Sequence, residues 1–379
     1  MAGGNLDPLK LWRNVRCGLA NPFPSNGFPM FFASDNWAGA HKSIAERLLT
    51  ESTGFAAAYG AGDLDRKVEA RFSEIFEREV SVFFVATGTA ANSLSLASVQ
   101  RPGGITFCHS EAHVIGDECG APEFFSGSAR LVAVDGEAGK IDPAKLSAKI
   151  ASFPEDAVRH GRASAVTISQ TTEIGTVYSL PEIGEIAAIA RKRNLPLHMD
   201  GARFANALVA LGATPAEMTW KRGVDMLSFG GTKNGCWCAE AIVFFNPDQA
   251  REMPFIRKRA AQLFSKSRFI AAQFDAYFEN GLWLDLARLS NGMADRLRAG
   301  IGTSNSARLA WPTASNEVFA VVSKSAAKIA EEKGAKFYEW PVPAATPELV
   351  SESETLIRLV TSFATTEADV DGFLKYLAA

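Results

Sequence analysis

From about residue 40 to about residue 250, short apolar runs alternate with stretches whose apolar residues recur at helical spacing. Val80 to Val85, Ala165 to Ser169 and Leu195 to Met199 read as strands. Ile44 to Glu51, Ala90 to Gln100 and Pro181 to Arg193 read as helices between and around them. Ala241 to Phe245 adds another buried strand. This alternation predicts an α/β fold, a mostly parallel sheet covered by helices on both faces. Ligands of such sheets bind at the carboxyl edge of the strands, so the residues that follow each apolar run carry the chemistry.

The flanks follow other patterns. Residues 1–33 are rich in Pro, Gly and Asn around Asn21 to Pro29, which predicts an N-terminal arm. Beyond Asn246-Pro247-Asp248 the pattern lengthens into helices, Asp248 to Lys258 and Ser265 to Arg298, the second with a break near Gly281. Strands at Val318 to Val322 and Leu356 to Thr361 and helices at Ala326 to Lys333 and Glu367 to Leu377 then predict a small α+β domain. The expected division is a large domain over 34–260 and a small C-terminal domain over 261–379. With 47% hydrophobic and 21% charged residues, disordered and membrane classes are excluded, and a net charge of −3 gives no electrostatic reason for a nucleic-acid or membrane partner. Five cysteines without paired zinc spacing read as reduced thiols. No basic stretch followed by an apolar core opens the chain, so a soluble cytoplasmic protein is expected.

Two charged residues end apolar runs and are backed by glycine. Asp200 follows Leu195 to Met199 and opens Asp200-Gly-Ala-Arg203; Lys233 follows Val224 to Phe229 and lies between Gly230-Gly231 and Gly235. Most lysines are solvated surface residues, and an Asp that starts a Gly-containing turn is ordinary loop chemistry. Together, however, they meet the needs of a pyridoxal phosphate site, one lysine to hold the aldehyde and one carboxylate to keep the ring nitrogen protonated. A third part lies at Ala86-Thr-Gly-Thr-Ala-Ala-Asn92, where a strand runs into a helix and backbone N–H groups gather with the Thr87 and Thr89 hydroxyls. Alone that segment is more often a helix cap; beside Asp200 and Lys233 it makes a phosphate cradle.

Ser34-Asp-Asn36, Tyr59-Gly-Ala-Gly-Asp63, Thr87 to Asn92, Glu111-Ala-His113, Glu118-Cys-Gly-Ala121, His198 to Arg203, Lys233-Asn-Gly235 and Ile357 to Thr361 complete an ordered set that spans nearly the whole chain. In that set the chain resembles the threonine aldolase and β-eliminating lyase family of fold-type I pyridoxal phosphate enzymes. The resemblance implies pyridoxal 5′-phosphate as cofactor, Lys233 as the Schiff-base lysine and Asp200 as the partner of the ring nitrogen. It further implies His113 stacked on the ring, Gly88 and Thr89 on the phosphate, and Arg203 and Arg358 on the substrate carboxylate, with Ser34 near it. Arg259 would reach the phosphate of a neighbouring subunit and Tyr59 would line a shared site, so a homodimer or homotetramer is implied.

Where many relatives carry a histidine near the substrate β-hydroxyl, this chain reads Gln170-Thr-Thr-Glu-Ile-Gly175, which puts Glu173 in that place. The implied reaction is cleavage of L-threonine, L-allo-threonine or a related β-hydroxy-α-amino acid to glycine and an aldehyde. Glu173, His113 and water stand as candidates for the β-hydroxyl base. β-Elimination, transamination and racemisation on the same scaffold are the nearest alternatives, and a non-catalytic binding protein is a remoter one. Phe31, Phe32, Trp37 and Phe125 are candidates either for an apolar substrate pocket or for ordinary core.

Overall fold

The computed structural model describes residues 29–343 and 346–377, so the expected arm lies outside the described residues as far as residue 28. A two-residue strand, β1 (Met30–Phe31), precedes the α/β region. The α/β strands are β2 (Ser81–Val85), β3 (Gly104–His109), β4 (Arg130–Val134), β5 (Arg162–Ser169), β6 (Leu197–Gly201), β7 (Met226–Gly230) and β8 (Glu240–Phe244). They form one sheet in the order β2-β8-β7-β6-β5-β3-β4. From β7 to β4 every pairing is parallel, as the alternation predicts, while β8 runs antiparallel to both β2 and β7. The connection between β7 and β8 holds no crossover helix, only a single 3₁₀ turn, and a short link can join only antiparallel neighbours.

Helices cover both faces. On one, the helix Gly88–Ser98 lays Ala90, Ala91 and Leu94 on Met226, Ile242 and Phe244. On the other, the helices Asp63–Ile75 and Arg268–Phe278 bring Phe72, Phe274 and Phe278 onto Phe84 and Phe229. Phe72 is at the centre, with ring centroids of Phe229, Phe274 and Phe278 at 5.2, 5.3 and 5.0 Å in edge-on geometry. This close packing fixes the strand that ends beside Lys233. Ser179 and Glu182 form a reciprocal cap at the start of Leu180–Arg191, one residue before the expected start.

The C-terminal strands are β9 (Ala307–Leu309), β10 (Glu317–Ser323), β11 (Ala335–Lys336), β12 (Tyr338–Glu339) and β13 (Glu354–Val360). Four of them pair antiparallel in the order β12-β13-β10-β9, and β1 pairs in parallel with β11. The expected long helix is two, Arg268–Phe278 and Leu282–Gly302, broken where Asn280 and Gly281 take φ of 53° and 74°. The expected division at 260/261 does not coincide with the change of core. Ile270 to Ala287 still pack with the large sheet, and only from Met293 does Leu282–Gly302 join the second core. The helix is continuous in its hydrogen bonding while its apolar face passes from one core to the other. Met30 and Phe32, expected in the arm, belong to that second core. Among the described residues, no helix is long and apolar enough to cross a membrane.

Candidate active site

At the carboxyl edge of the parallel strands lies a cavity of about 270 Å³. Ala86 to Thr89, His113, Glu173, Asp200, Arg203 and Lys233 all line it, so residues from separate segments of the chain converge on one space. One end is the start of Gly88–Ser98. Thr87 caps that helix by accepting the Ala90 N–H at 3.1 Å, and Gly88 opens onto free space, with no atom within 4 Å of where a Cβ would stand. The cavity thus presents first-turn N–H groups that have no partner among the described residues, which suits a phosphate.

Lys233 and Asp200 are brought together by close backbone approach. A Cβ on Gly230 would stand 2.5 Å from the Ala202 carbonyl oxygen, so only glycine lets the end of β7 lie against the turn that follows Asp200. Gly235, at φ 105°, closes the turn that carries Lys233. Lys233 makes no hydrogen bond or ion pair among the described residues, although it is partly buried in the cavity. Asp200 is 5% exposed and receives Asn92 Nδ2 at 2.7 Å and the Ala202 N–H at 3.0 Å.

Asn92 is shared. Its Nδ2 also donates to Glu118 Oε1 at 2.8 Å, and the same oxygen meets His113 Nδ1 at 2.9 Å. A buried chain therefore links the imidazole to Asp200 through Glu118 and Asn92. The hydrogen bond to Glu118 raises the His113 pKa, against an opposing effect of burial. Glu173 faces the cavity from the loop after β5. Burial pushes its carboxyl up to about 7, Lys233 working against the shift and Asp200 and Glu317 adding to it. His198, two residues before Asp200 and wholly buried between Thr167 and Ser228, is pushed down to about 4 by burial and is a structural neutral group.

The two expected carboxylate-binding arginines are already engaged. Arg203 donates to both oxygens of Asp35, at 2.7 and 3.1 Å, and lies 3.4 Å from Glu317 Oε2. Arg358 donates to Glu317 Oε1 at 3.1 and 2.5 Å and stacks on Trp340. Asp35 also receives Asn316 Nδ2 at 3.1 Å. Burial opposes ionisation of Asp35, yet Arg203 and Lys233 hold its pKa below the usual value. Ser34 accepts the Asn36 N–H at 3.2 Å as a cap; Asn36, not Ser34, lines the cavity. Tyr59 and Arg259 lie outside the lining and are exposed, with Lys258 rather than Arg259 over the Tyr59 ring. Phe31, Phe32, Trp37 and Phe125 do not line the cavity either; Phe32 is wholly buried in the second core.

Sequence reasoning assigned no role to Asp35, Asn92, Glu118, Glu240 or Glu317. Asp35, Asn92 and Glu118 stood inside the quoted motifs. Glu240 and Glu317 left a fainter signal, each a charged residue at the head of an otherwise apolar strand, Glu-Ala-Ile-Val-Phe and Glu-Val-Phe-Ala-Val-Val.

The family model for β-eliminating lyases matches residues 32–350. A low specificity L-threonine aldolase from a Pseudomonas species is 40% identical over 307 residues, 81% of this chain and 88% of that protein. Alanine racemase TOXG of Cochliobolus carbonum is 30% identical over 215 residues, 56% of this chain and 54% of its own. Among solved structures, the threonine aldolase of Leishmania major superposes with a TM-score of 0.84 at 27% identity, over 92% of this chain and 98% of that one. On the extent of these matches, the chain belongs to the β-eliminating lyase family.

Proposed function

We propose that this protein is a pyridoxal 5′-phosphate-dependent carbon–carbon lyase that cleaves L-threonine, L-allo-threonine or related β-hydroxy-α-amino acids, phenylserine among them, to glycine and an aldehyde. The observation that carries the reading is the unpaired amine of Lys233 in a cavity with free helix N–H groups at one end and buried Asp200 lining it. This donor set fits the cofactor, and the likeness to the Pseudomonas aldolase supports the same substrate class. When bound, the cofactor supplies the electron sink for the Cα–Cβ bonding pair.

The chain's residues then divide the remaining work. Gly88 and Thr89 would hold the phosphate, and Lys233 Nζ is the amine that would bind the cofactor aldehyde. Asp200, steadied by Asn92, would accept from the ring nitrogen of the bound cofactor, and His113 would pack beside the ring. Arg203 and Arg358 orient the substrate carboxylate, with Ser34 beside it, so that the Cα–Cβ bond is the one aligned to break. Glu173 takes the β-hydroxyl proton, and Lys233 or water returns a proton to Cα of the glycine product. Arg259 and Tyr59 act across a subunit contact, in a cytoplasmic homodimer or homotetramer.

A panel of β-hydroxy-α-amino acids, both diastereomers, tests the reading. Aldehyde with stoichiometric glycine is expected, and Lys233→Ala should abolish both turnover and the borohydride-reducible visible band. A keto acid product would instead indicate elimination or transamination. The partial likeness to alanine racemase makes loss of chirality in L-alanine the outcome that favours a second reading, racemisation.

A further inference from the structure

Glu240 is the first residue of β8, and alternation along a strand puts Glu240, Ile242 and Phe244 on one face of the sheet. Ile242 and Phe244 pack there against Ala90, Ala91 and Leu94 of Gly88–Ser98. Glu240 therefore lies on the face covered by that helix, at the end nearest the helix's first turn. Its register partners are Val85 and Gly230, the residues that lead into the phosphate cradle and into the Lys233 turn. Its side chain lines the cavity with Ala86 to Thr89, is 5% exposed, and accepts the Thr232 N–H at a long 3.3 Å.

Two anions would then meet at one helix terminus. The helix dipole favours either a carboxylate or a phosphate there, but in a buried site the pair repel each other. A carboxylic acid removes the conflict, because its O–H donates to a phosphate oxygen as a backbone N–H does. Building on the cofactor reading above, we propose that Glu240 binds the cofactor phosphate in its protonated form, so that phosphate binding takes up one proton. The charged and titratable groups that face Glu240 are Lys233, which favours its ionisation, and Asp200, Cys236, Cys238 and Tyr277, none of which does. Burial, the largest influence, pushes its carboxyl up to about 7, so near neutral pH both forms are available and the anion selects the acid.

The probe is pyridoxine 5′-phosphate, which carries ring and phosphate but no aldehyde, so lysine chemistry does not enter. Its affinity for the apoprotein is measured by tryptophan fluorescence from about pH 6.5 to about pH 8.5. With a carboxyl near pH 7 that must be protonated when the phosphate binds, affinity should fall about twentyfold over that range beyond any fall seen in Glu240→Gln, whose amide keeps a donor without titrating. Calorimetry of the unmodified protein at about pH 8, in two buffers of different ionisation enthalpy, should show uptake of about one proton. Equal pH dependence in both proteins, or no proton uptake, overturns the role of Glu240. Failure of pyridoxal phosphate to give a visible band with the unmodified protein at about pH 6.5 overturns the cofactor reading instead.

Discussion

Glu173→Gln separates the acid–base role of Glu173 from its cost to the fold. In the folded protein burial pushes this carboxyl from the ordinary glutamate value of 4.5 to about 7. A raised carboxylate pKa means that ionisation opposes folding: the penalty is absent below the unfolded pKa, grows as pH rises, and is complete above about 7. The full shift corresponds to about 3 kcal/mol, and since the side chain is partly exposed, solvent screening reduces this to roughly 1–3 kcal/mol. Glu173→Gln apoprotein should therefore be more stable than the parent near pH 8 and equal to it near pH 4.5, as urea melts at the two pH values will show. Catalysis should move in the opposite sense. A base must be ionised to act, so kcat/KM for threonine should rise through about pH 7 in the parent, by glycine release or aldehyde reduction. The variant should lose that rising limb and fall about 10²- to 10⁴-fold, the range for removal of a positioned base. A limb that survives in the variant, or a loss below about tenfold, would refute the assignment and transfer the proton to His113 or water.

Asn92→Ala removes the donor shared by Asp200 and Glu118, at 2.7 and 2.8 Å, and should weaken pyridoxal phosphate binding about tenfold, read from the visible absorbance on dilution. Asp35→Asn leaves the Arg203 guanidinium buried with Glu317 as its remaining ion-pair partner; a loss of about 3 kcal/mol in denaturant stability is expected, together with a raised KM for the amino acid. Unchanged stability would mean that Glu317 alone neutralises Arg203.

Patterns local to one segment could be read from the chain. Glu367 to Leu377 is a helix as expected, and the strands near Val80, Leu195 and Ala241 lie within a few residues of their expected places, because alternation and turn residues are properties of a short window. That Lys233 and Asp200 meet at one cavity was legible because glycine marks close backbone approach, and the Gly230 contact with Ala202 is that approach. Pairing across distance was not legible. Nothing in Met30 or Phe32 says that they join the second core beside β11, and nothing in Glu317 says that a residue far along the chain holds both Arg203 and Arg358. A boundary inside a helix is likewise silent, since Ala287 and Ala294 keep the same spacing while facing different cores.

The environments of the acids explain how Glu173, Asp200 and Glu240 can share one cavity with Asp35 close behind Arg203. Asp35 and Asp200 are each given donors, a guanidinium and an amide for the first, an amide and a backbone N–H for the second, so each is held as an acceptor in a fixed orientation. Glu173 forms no hydrogen bond among the described residues and Glu240 accepts only from Thr232, and in both burial brings the carboxyl to about 7. Asp35, held low by Arg203, and Glu173 and Glu240, raised by burial, have proton affinities pushed apart, and such acids take different roles in one site. Here the division follows position. On the proposed reading the donor-supplied pair would address the Arg203 guanidinium and the ring nitrogen, whereas the two poorly supplied acids would stand where a proton moves or an anion is accepted. Supplying Glu173 or Glu240 with a strong donor would hold it ionised, and the site would lose the ability to exchange that proton near neutral pH.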